Sequence, residues 1–238
     1  MKNSIRSIRK LLLEHGKVLK TNNWQGTENP PAFLELVQPV MKFDMVDNEE
    51  DLNFLTGADQ PWAAEHFAER VSGKPLNPPP SHVKWRMKTS DYMVDGKFDH
   101  TYPERMWPKG LMTGIRFDIG DLYDVARLLD KDPTTRQAVM PMFTYEDITA
   151  GIEGRRVPCS LSWNFIIRDG YMHCTYTMRS CDAVRHMHND IYFANKLVLW
   201  MISNIRHDVK PGKLMMTVSS LHCFENDKPI LRKILCAE

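Results

Sequence analysis

The sequence predicts one domain of the α/β or α+β class. Its 238 residues are enough for a single domain with a sizeable hydrophobic core. Segments with the spacing of amphipathic helices alternate with short runs rich in β-branched and aromatic residues. The chain contains no internal repeat, and the Pro- and Gly-rich stretch at 72–80 is flanked by pieces too short to be domains. We therefore interpret that stretch as a loop and residues 1–238 as one domain.

The helices are predicted from the spacing of apolar residues. This spacing is helical in the segments 4–20, 49–55, 62–71, 118–130 and 191–205. Gly57 follows the second segment and suits the left-handed backbone of a helix C-cap. The last segment is strongly apolar, but it is too short and too often interrupted to span a membrane. We expect it to be the central buried helix.

The strands are predicted from β-compatible runs, at 33–43, 135–143, 161–167, 171–178 and 213–219. Pro39 interrupts the first run. The third and fourth runs are joined through Asp169-Gly170, and an Asp-Gly pair between apolar runs is a strong hairpin signal. We therefore expect these two runs to pair as antiparallel strands.

Such a hairpin places Cys159 and Arg179 near the same end of two paired strands. A guanidinium group beside a thiol favours the thiolate and lowers the thiol pKa from its ordinary value of about 8.5. Cys159 is then either a nucleophile with its activating arginine or a buried cysteine in an ordinary strand. The hairpin alone leaves both interpretations open.

Composition argues against several classes of function. The 31 basic and 30 acidic residues balance, so we expect no general attraction to nucleic acid or to membranes. The five cysteines are odd in number and lack paired C-x-x-C spacing, so we predict reduced thiols, with no disulfide framework and no metal site. We see no membrane-spanning stretch and no signal peptide, and therefore expect a soluble cytoplasmic protein.

Four short motifs occur in order along the second half of the chain. They are Pro158-Cys159, Arg179-Ser180-Cys181-Asp182, Asn189-Asp190 and Ser220-Leu221-His222. In this order and spacing they resemble the thymidylate synthase superfamily, and within it most closely the phage deoxycytidylate hydroxymethylases. The resemblance covers most of the chain, from about residue 50 to residue 222.

The resemblance implies both a fold and a chemistry. The fold is α+β, with one large mixed β-sheet, flanking helices and two subunits packed sheet to sheet. The chemistry is transfer of a one-carbon unit from 5,10-methylenetetrahydrofolate, as co-substrate, to C5 of a pyrimidine nucleoside monophosphate. The resemblance assigns the nucleophile to Cys159, because thiolate addition to C6 turns C5 into a nucleophilic carbon.

The base is predicted from Asp190, which lies eleven residues after Arg179. The synthases carry asparagine at this position, and the resemblance implies that the residue reads the pyrimidine. An ionised carboxylate only accepts hydrogen bonds, so it suits the N4 amino group and a protonated N3 of cytosine and disfavours O4 of uracil. Alternatively, Asp190 is the N-cap of the following helix, a role that Asn189 would fill equally well. Asn189 belongs to the same base-reading motif.

The phosphate is predicted to be held by guanidinium groups, which bind it in bidentate geometry. The resemblance assigns this role to Arg179 with Ser180, and to Arg136 reaching in from the opposite subunit. The alternative for Arg136 is a solvated surface charge. The family usually has two consecutive arginines here, whereas this chain has Gln137 in the second place.

Three residues in the first half of the chain also match family positions. Glu50 lies in Glu-Asp-Leu-Asn-Phe-Leu-Thr-Gly, a segment that resembles a helix end at which the glutamate directs water and protons around the base. A solvated charge in an acidic run is the alternative. Tyr102 and Trp107 resemble aromatic residues that lie against the active site, Tyr102 in a catalytic role and Trp107 beside the folate; packing at a strand end is the alternative.

The remaining predicted contacts concern the folate and the sugar. Asp182 resembles the carboxylate that contacts the pterin ring, and a turn-capping aspartate is the alternative. His222 resembles the histidine that touches the sugar 3′-hydroxyl. The tyrosine that usually accompanies it is replaced here by Phe224, which has no hydroxyl group. The choice between deoxyribose and ribose therefore stays open.

Together these residues predict a homodimeric dCMP 5-hydroxymethyltransferase in nucleotide biosynthesis. Water would trap the exocyclic methylene to give 5-hydroxymethyl-dCMP, and neither nucleic acid nor membrane would be a direct partner. The alternatives are a CMP hydroxymethylase of nucleoside biosynthesis, a dUMP-using enzyme like thymidylate synthase, and a catalytically weakened nucleotide-binding relative.

Overall fold

A computed structural model of the protein describes residues 1–21, 23–24, 27–28, 30–85, 92–108 and 120–237. The α-helices are α1 Lys2–His15, α2 Glu49–Thr56, α3 Trp62–Arg70, α4 Tyr102–Met106, α5 Leu122–Lys131, α6 Tyr145–Ile152, α7 Met187–Ser203 and α8 Lys228–Ala237. Short 3-10 helices span Pro80–Lys84 and Glu225–Asp227. None of the helices in this part of the chain is long and apolar enough to cross a membrane.

The strands build one large sheet and two small hairpins. They are β1 Lys17–Leu19, β2 Asn23–Trp24, β3 Thr27–Glu28, β4 Phe33–Val37, β5 Val40–Asp44, β6 Met93–Val94, β7 Lys97–Phe98, β8 Val139–Pro141, β9 Ser160–Arg168, β10 Tyr171–Asp182 and β11 Lys210–Phe224. The large sheet has seven strands in the order β1-β4-β11-β10-β9-β8, and β5 also pairs with β11. β10 and β11 are parallel, and their other neighbours are antiparallel. The predicted large mixed sheet with flanking helices is confirmed.

The predicted hairpin is formed by β9 and β10. Its turn residues, Asp169 and Gly170, have φ angles of 53° and 76°. Two successive positive φ angles are what a tight two-residue hairpin turn requires, and Asp-Gly tolerates them better than most pairs. The turn sets the register in which Tyr171 faces Arg168.

The core lies between one face of the sheet and the helices. Burial alternates along β10, so that Met172, Cys174, Tyr176 and Met178 face inward. α7 contacts both β10 and β11 and buries most of its length against them. Because α7 is the crossover between two parallel strands, it lies across the sheet face, as the predicted central helix should.

α7 begins earlier than the sequence predicted. The apolar spacing placed its start at residue 191, whereas the helix starts at Met187 with His186 at the N-cap position. Asn189 and Asp190 therefore lie inside the first turn. The alternative that one of them is the N-cap is wrong, and the carboxylate of Asp190 is available for another role.

Several other predicted boundaries were too wide. The first helix ends at His15 rather than at residue 20, because β1 follows Gly16 directly. The helix predicted at 118–130 starts at Leu122 behind a capping box at Asp121, and residues 118–119 lie outside the described part of the chain. The strand predicted at 135–143 is reduced to Val139–Pro141.

Candidate active site

A cavity of about 790 Å³ opens where β10 and β11 end, beside α3, α4 and the start of α7. Parallel pairing sets Ser180 opposite Ser220 and Asp182 opposite His222, so two motifs forty residues apart reach the same place. Most of the predicted site residues line this cavity, namely Tyr102, Cys159, Arg179, Ser180, Asp182, Asn189, Asp190, His222 and Phe224. The separated motifs thus converge on one space.

Cys159 and Arg179 are in contact, as the hairpin predicted. The Nη2 of Arg179 lies 3.9 Å from the Cys159 sulfur. The guanidinium also donates from Nε to the Pro158 carbonyl at 2.8 Å and from Nη2 to the Val157 carbonyl at 2.9 Å, which fixes its orientation. The backbone carbonyls of Val157 and Pro158 therefore hold the Arg179 guanidinium beside the Cys159 thiol.

Arg179 lowers the pKa of the Cys159 thiol, as predicted, but the net shift is upward. Burial raises the pKa of the thiol, Arg179 lowers it, and the carboxylate of Asp190 raises it again, with a net upward shift. Burial exceeds the attraction of the guanidinium because a thiolate enclosed by protein loses its hydration. The surroundings of Cys159 therefore favour the thiol over the thiolate.

Asp190 lies in the same cavity, in the first turn of α7. Its Oδ2 is 3.6 Å from the sulfur of Cys181. Burial raises the pKa of Asp190, whereas His186 and Arg70 lower it by their positive charge, and the net shift is upward. This carboxylate therefore takes up a proton more readily than an exposed aspartate does.

Asn189 is already engaged with the loop after α2. Its Oδ1 accepts from the backbone N–H of Asp59 at 2.9 Å, and its Nδ2 donates to the Asp59 carboxylate at 3.0 Å. Both ends of the amide are thus bonded within the protein. Asn189 borders the cavity and at the same time fixes that loop against α7.

Tyr102 lies beside the segment that carries Cys159. Its hydroxyl oxygen accepts from the backbone N–H of Ser160 at 3.4 Å. A capping box between Thr101 and Glu104 starts α4 at this point and holds the tyrosine in place. Burial raises the pKa of the phenol, and Cys159 adds to this shift.

Asp182 and His222 occupy neighbouring positions at the strand ends. Asp182 Oδ1 accepts from the backbone N–H groups of Val184 and Arg185 at 2.8 and 2.9 Å, so it caps the turn while also lining the cavity. His222 Nδ1 lies 3.4 Å from Ser180 Oγ, and burial lowers the pKa of its imidazole. Phe224 packs edge-on against His222, with ring centroids 5.8 Å apart.

Two predicted residues do not fit their predicted roles. Glu50 is exposed and does not line the cavity, because α2 turns Leu52 and Thr56 toward the core instead. Trp107 is only 3% exposed, lies outside the cavity lining and donates from its indole to the Arg70 carbonyl at 2.7 Å. The structure corrects both assignments: Glu50 is a surface charge and Trp107 is a core residue.

Arg136 is exposed and does not line the cavity of its own chain. Its predicted role concerns a second subunit, so it stays a prediction.

The inner face of α3 contributes three further residues, which the sequence motifs did not indicate. Trp62, His66 and Arg70 follow one another at intervals of four residues, and all three line the cavity. Trp62 stacks on His66 and on Trp85, with ring centroids 4.9 and 6.0 Å apart. The spacing was visible in the sequence, but the pattern predicted only that the helix is amphipathic.

Arg70 is a buried cation in this wall. It is 5% exposed, and its guanidinium lies between the rings of Tyr102 and Phe193, at 4.3 and 4.2 Å from their centroids. Within the described part of the chain, its Nε has no hydrogen-bond partner. Burial lowers the pKa of this guanidinium. Stacking on two π-faces compensates part of the lost hydration.

Arginines also cluster on the opposite side of the cavity. Arg155, Arg156 and Arg185 line it together with Arg179. Arg156 stacks on Tyr92 at 4.6 Å, and its buried Nε lacks a hydrogen-bond partner among the described residues. Such a cluster suits a phosphate group. Arg156 is thus a further anion-binding candidate that the motifs did not indicate.

Aromatic residues also line the cavity. Trp62, Trp85 and Phe193 provide aromatic faces, and Asp182 provides an acceptor at the strand ends. These features suit the pterin of the predicted folate. In the described residues no group of three or more His, Cys, Asp or Glu side chains is arranged to hold a metal ion, and the five cysteines are unbridged.

Comparison with known proteins agrees with the family resemblance seen in the sequence. Residues 81–237 match the family model described as thymidylate synthase. Two similar proteins, each named "Putative thymidylate synthase", come from Methanosarcina acetivorans and Methanosarcina barkeri, at 26% and 27% identity over 140 residues. The match covers 58% of this chain and 58% of each relative, so the chain spans little more than half the length of these relatives.

Proposed function

This chain belongs to the thymidylate synthase family, and on that premise we propose that it is a dCMP 5-hydroxymethyltransferase. In this proposal a one-carbon unit passes from 5,10-methylenetetrahydrofolate to C5 of dCMP, and hydration gives 5-hydroxymethyl-dCMP. The observation that carries the proposal is that the thiol of Cys159 and the carboxylate of Asp190 line one cavity.

Cys159 supplies the nucleophile in this mechanism. A bond forms between its sulfur and C6, and the electron pair of the C5–C6 double bond makes C5 able to attack the one-carbon unit. Arg179, 3.9 Å from the sulfur, favours the anionic form while the bond forms. In this proposal Tyr102, whose hydroxyl accepts from the backbone N–H of Ser160, takes part in removal of the C5 proton.

Asp190 selects the base. In its ionised form it accepts from the N4 amino group and from a protonated N3 of cytosine, and it meets the O4 of uracil with a second acceptor. A buried mismatch of this kind costs about 1–3 kcal/mol, which corresponds to about five- to 150-fold discrimination. The rest of the first turn of α7 supports this position, because Asn189 anchors it to the Asp59 loop.

The phosphate and a second subunit complete the proposal. Arg179 and Ser180 bind the phosphate, and the cavity-lining Arg156 adds a third donor. Arg136, exposed on its own chain, reaches the phosphate in the neighbouring site of a homodimer. Asp182 and the aromatic wall hold the folate.

The test is release of tritium from C5-labelled dCMP, CMP and dUMP in the presence of the folate, together with the mass of the product. We expect release from dCMP and a product heavier by one hydroxymethyl group. CMP is included because Phe224 brings no hydroxyl group beside His222, and faster release from CMP would reassign the substrate to the ribonucleotide. Release from dUMP alone would contradict the role of Asp190.

The matched control is Asp190→Asn, which keeps the size of the side chain. An amide can serve both O4 and N3–H of uracil, so this variant should gain about tenfold or more in relative preference for dUMP. An unchanged preference would show that Asp190 does not read the base.

A further inference from the structure

His66 lines the same cavity as Cys159. Its ring is stacked on Trp62 at 4.9 Å and lies 5.6 Å from Phe193. One helical turn later, Arg70 rests on the ring of Tyr102, whose hydroxyl contacts the residue after Cys159. The imidazole therefore lies one helical turn before Arg70 on the same helix face, and Arg70 is linked through Tyr102 to the residue after Cys159.

A hydrogen-bond network fixes the tautomer of this imidazole. Ser81 donates twice to Glu69, from its backbone N–H and from its hydroxyl, each at 2.6 Å. His66 Nδ1 lies 2.9 Å from Ser81 Oγ. A serine hydroxyl has one hydrogen, and Glu69 receives it, so Ser81 Oγ accepts from Nδ1–H of His66.

The other ring nitrogen is left with a free lone pair. Since Nδ1 carries the hydrogen, Nε2 is an acceptor. Within the described ranges of the chain, no group forms a hydrogen bond with Nε2. Since Nδ1 is engaged with Ser81 and His66 lines the cavity, Nε2 is the ring nitrogen left for a ligand or water.

The imidazole stays neutral at ordinary pH. Burial lowers the pKa of His66 to about 4, Arg70 lowers it as well, and Glu69 opposes both. These two charges come from its own helix, whereas Ser81 and Phe193, which face it from the 3-10 helix at Pro80–Lys84 and from α7, are uncharged. The 3.5 Å contact with Glu69 is thus a contact between a neutral imidazole and a carboxylate.

We propose that His66 is the catalytic base for the hydration step, an inference that rests on the proposed function. A water held on Nε2 forms an O–C bond to the exocyclic methylene of the Cys159-bound nucleotide and gives one proton to Nε2. The electron pair of the exocyclic double bond moves to C5, re-forms the C5–C6 double bond and releases the sulfur as a thiolate. Ser81 and Glu69 act as positioning residues that hold Nδ1–H.

A weak base is sufficient for this step. The proton leaves a water oxygen that is already bonding to carbon, and such an oxygen is a far stronger acid than free water. Neutrality before the step is the more important property, because an imidazole that is already protonated has no lone pair to offer.

The experiment separates hydration from the steps before it. His66→Gln is compared with the wild type for tritium release from C5, which reports the earlier steps, and for 5-hydroxymethyl-dCMP. We expect the variant to keep tritium release within about threefold and to lose about a hundredfold in hydroxymethyl product per tritium released. Added 2-mercaptoethanol should trap the methylene as a thioether in the variant, because its thiolate needs no base.

Controls assign each outcome. His15→Gln alters an exposed histidine at the end of α1 and should behave like the wild type. A wild type that releases no tritium from any nucleotide contradicts the proposed function. If the wild type forms 5-hydroxymethyl-dCMP and His66→Gln keeps the same product per tritium released, only the role of His66 is overturned. The same holds if His66→Gln binds dCMP but loses tritium release as well.

Ser81→Ala provides an independent measurement, including the case in which His66→Gln does not fold. Without Ser81 the imidazole can place its hydrogen on either nitrogen, so the product per tritium released should fall about tenfold. Ser81→Thr, which retains the hydroxyl, should restore it. An unchanged ratio in Ser81→Ala would overturn the inference.

Discussion

At the scale of single residues, burial affects the pKa values of Cys159 and Asp190 more than the neighbouring positive charges do. The pKa of Cys159 is raised although Arg179 touches the sulfur, and the pKa of Asp190 is raised although His186 and Arg70 face it. The sequence predicted the contact between Cys159 and Arg179 because a hairpin turn is a local signal. It did not predict the pKa, because desolvation depends on everything that encloses the sulfur.

The state of Asp190 leads to a pH-dependent selectivity. Because its pKa is raised, this carboxyl becomes neutral at a higher pH than an ordinary aspartate. A neutral acid offers one donor and one acceptor, which can pair with O4 and N3–H of uracil. The preference for dCMP over dUMP should therefore decline as the pH is lowered.

The measurement is the ratio of tritium release from the two nucleotides across a pH series. Asp190→Asn is the control, since an amide does not titrate and its ratio should stay constant. A wild-type ratio that is equally constant would contradict this account.

At the scale of elements, local signals were sufficient for the hairpin, for the central helix and for the cap at Gly57, where φ is 66°. They were insufficient for the orientation of a helix. Glu50 matches a family motif, yet α2 is packed with Leu52 inward and Glu50 outward. His66 and Arg70 likewise reveal their position only once α3 is placed against α7. Which face of a helix turns inward is decided by its neighbours, and a single sequence does not contain them.

The turn of the hairpin can be tested through Gly170. A Cβ at this position would meet no atom within 4 Å, so Gly170→Ala acts only through the positive φ of 76°. We expect a loss of about 1 kcal/mol in the free energy of unfolding, or about 2–4 °C in Tm.

Gly151→Ala is the matched control for that substitution. Gly151 lies in α6 without a positive φ, and an added Cβ would meet Val157 at 3.9 Å, an ordinary contact. Alanine should be neutral or stabilising there. Equal losses in both variants, measured by urea unfolding, would remove the backbone explanation.

At the scale of the whole molecule, burial favours the uncharged form of two histidines that line the cavity, His66 and His100. Burial lowers the pKa of His66 to about 4 and that of His100 to about 3. Both values lie below the 6.5 expected in the unfolded chain. Between these limits the unfolded chain binds more protons than the folded protein, so folding becomes less favourable as the pH falls from about 6.5 toward 3.

We therefore expect acid to destabilise the protein, with His66 contributing up to about 3 kcal/mol between pH 6.5 and 4. Asp190 contributes in the opposite sense, because its pKa is raised. Urea unfolding at several pH values checks this, with His66→Gln as the comparison. The variant should show a shallower dependence on pH, and an identical slope in the two proteins would rule out His66 as a source.

Parallel pairing of β10 with β11 has one further consequence. Asp182 lies opposite His222 because β10 and β11 pair along most of their length, whatever the length of the chain that connects them. The exposed end of that connection, around residues 204–206, follows α7 and lies far along the chain from both motifs. Residues inserted there would lengthen the loop and leave the pairs Ser180–Ser220 and Asp182–His222 in register, so this loop is a suitable position for a tag or an inserted module.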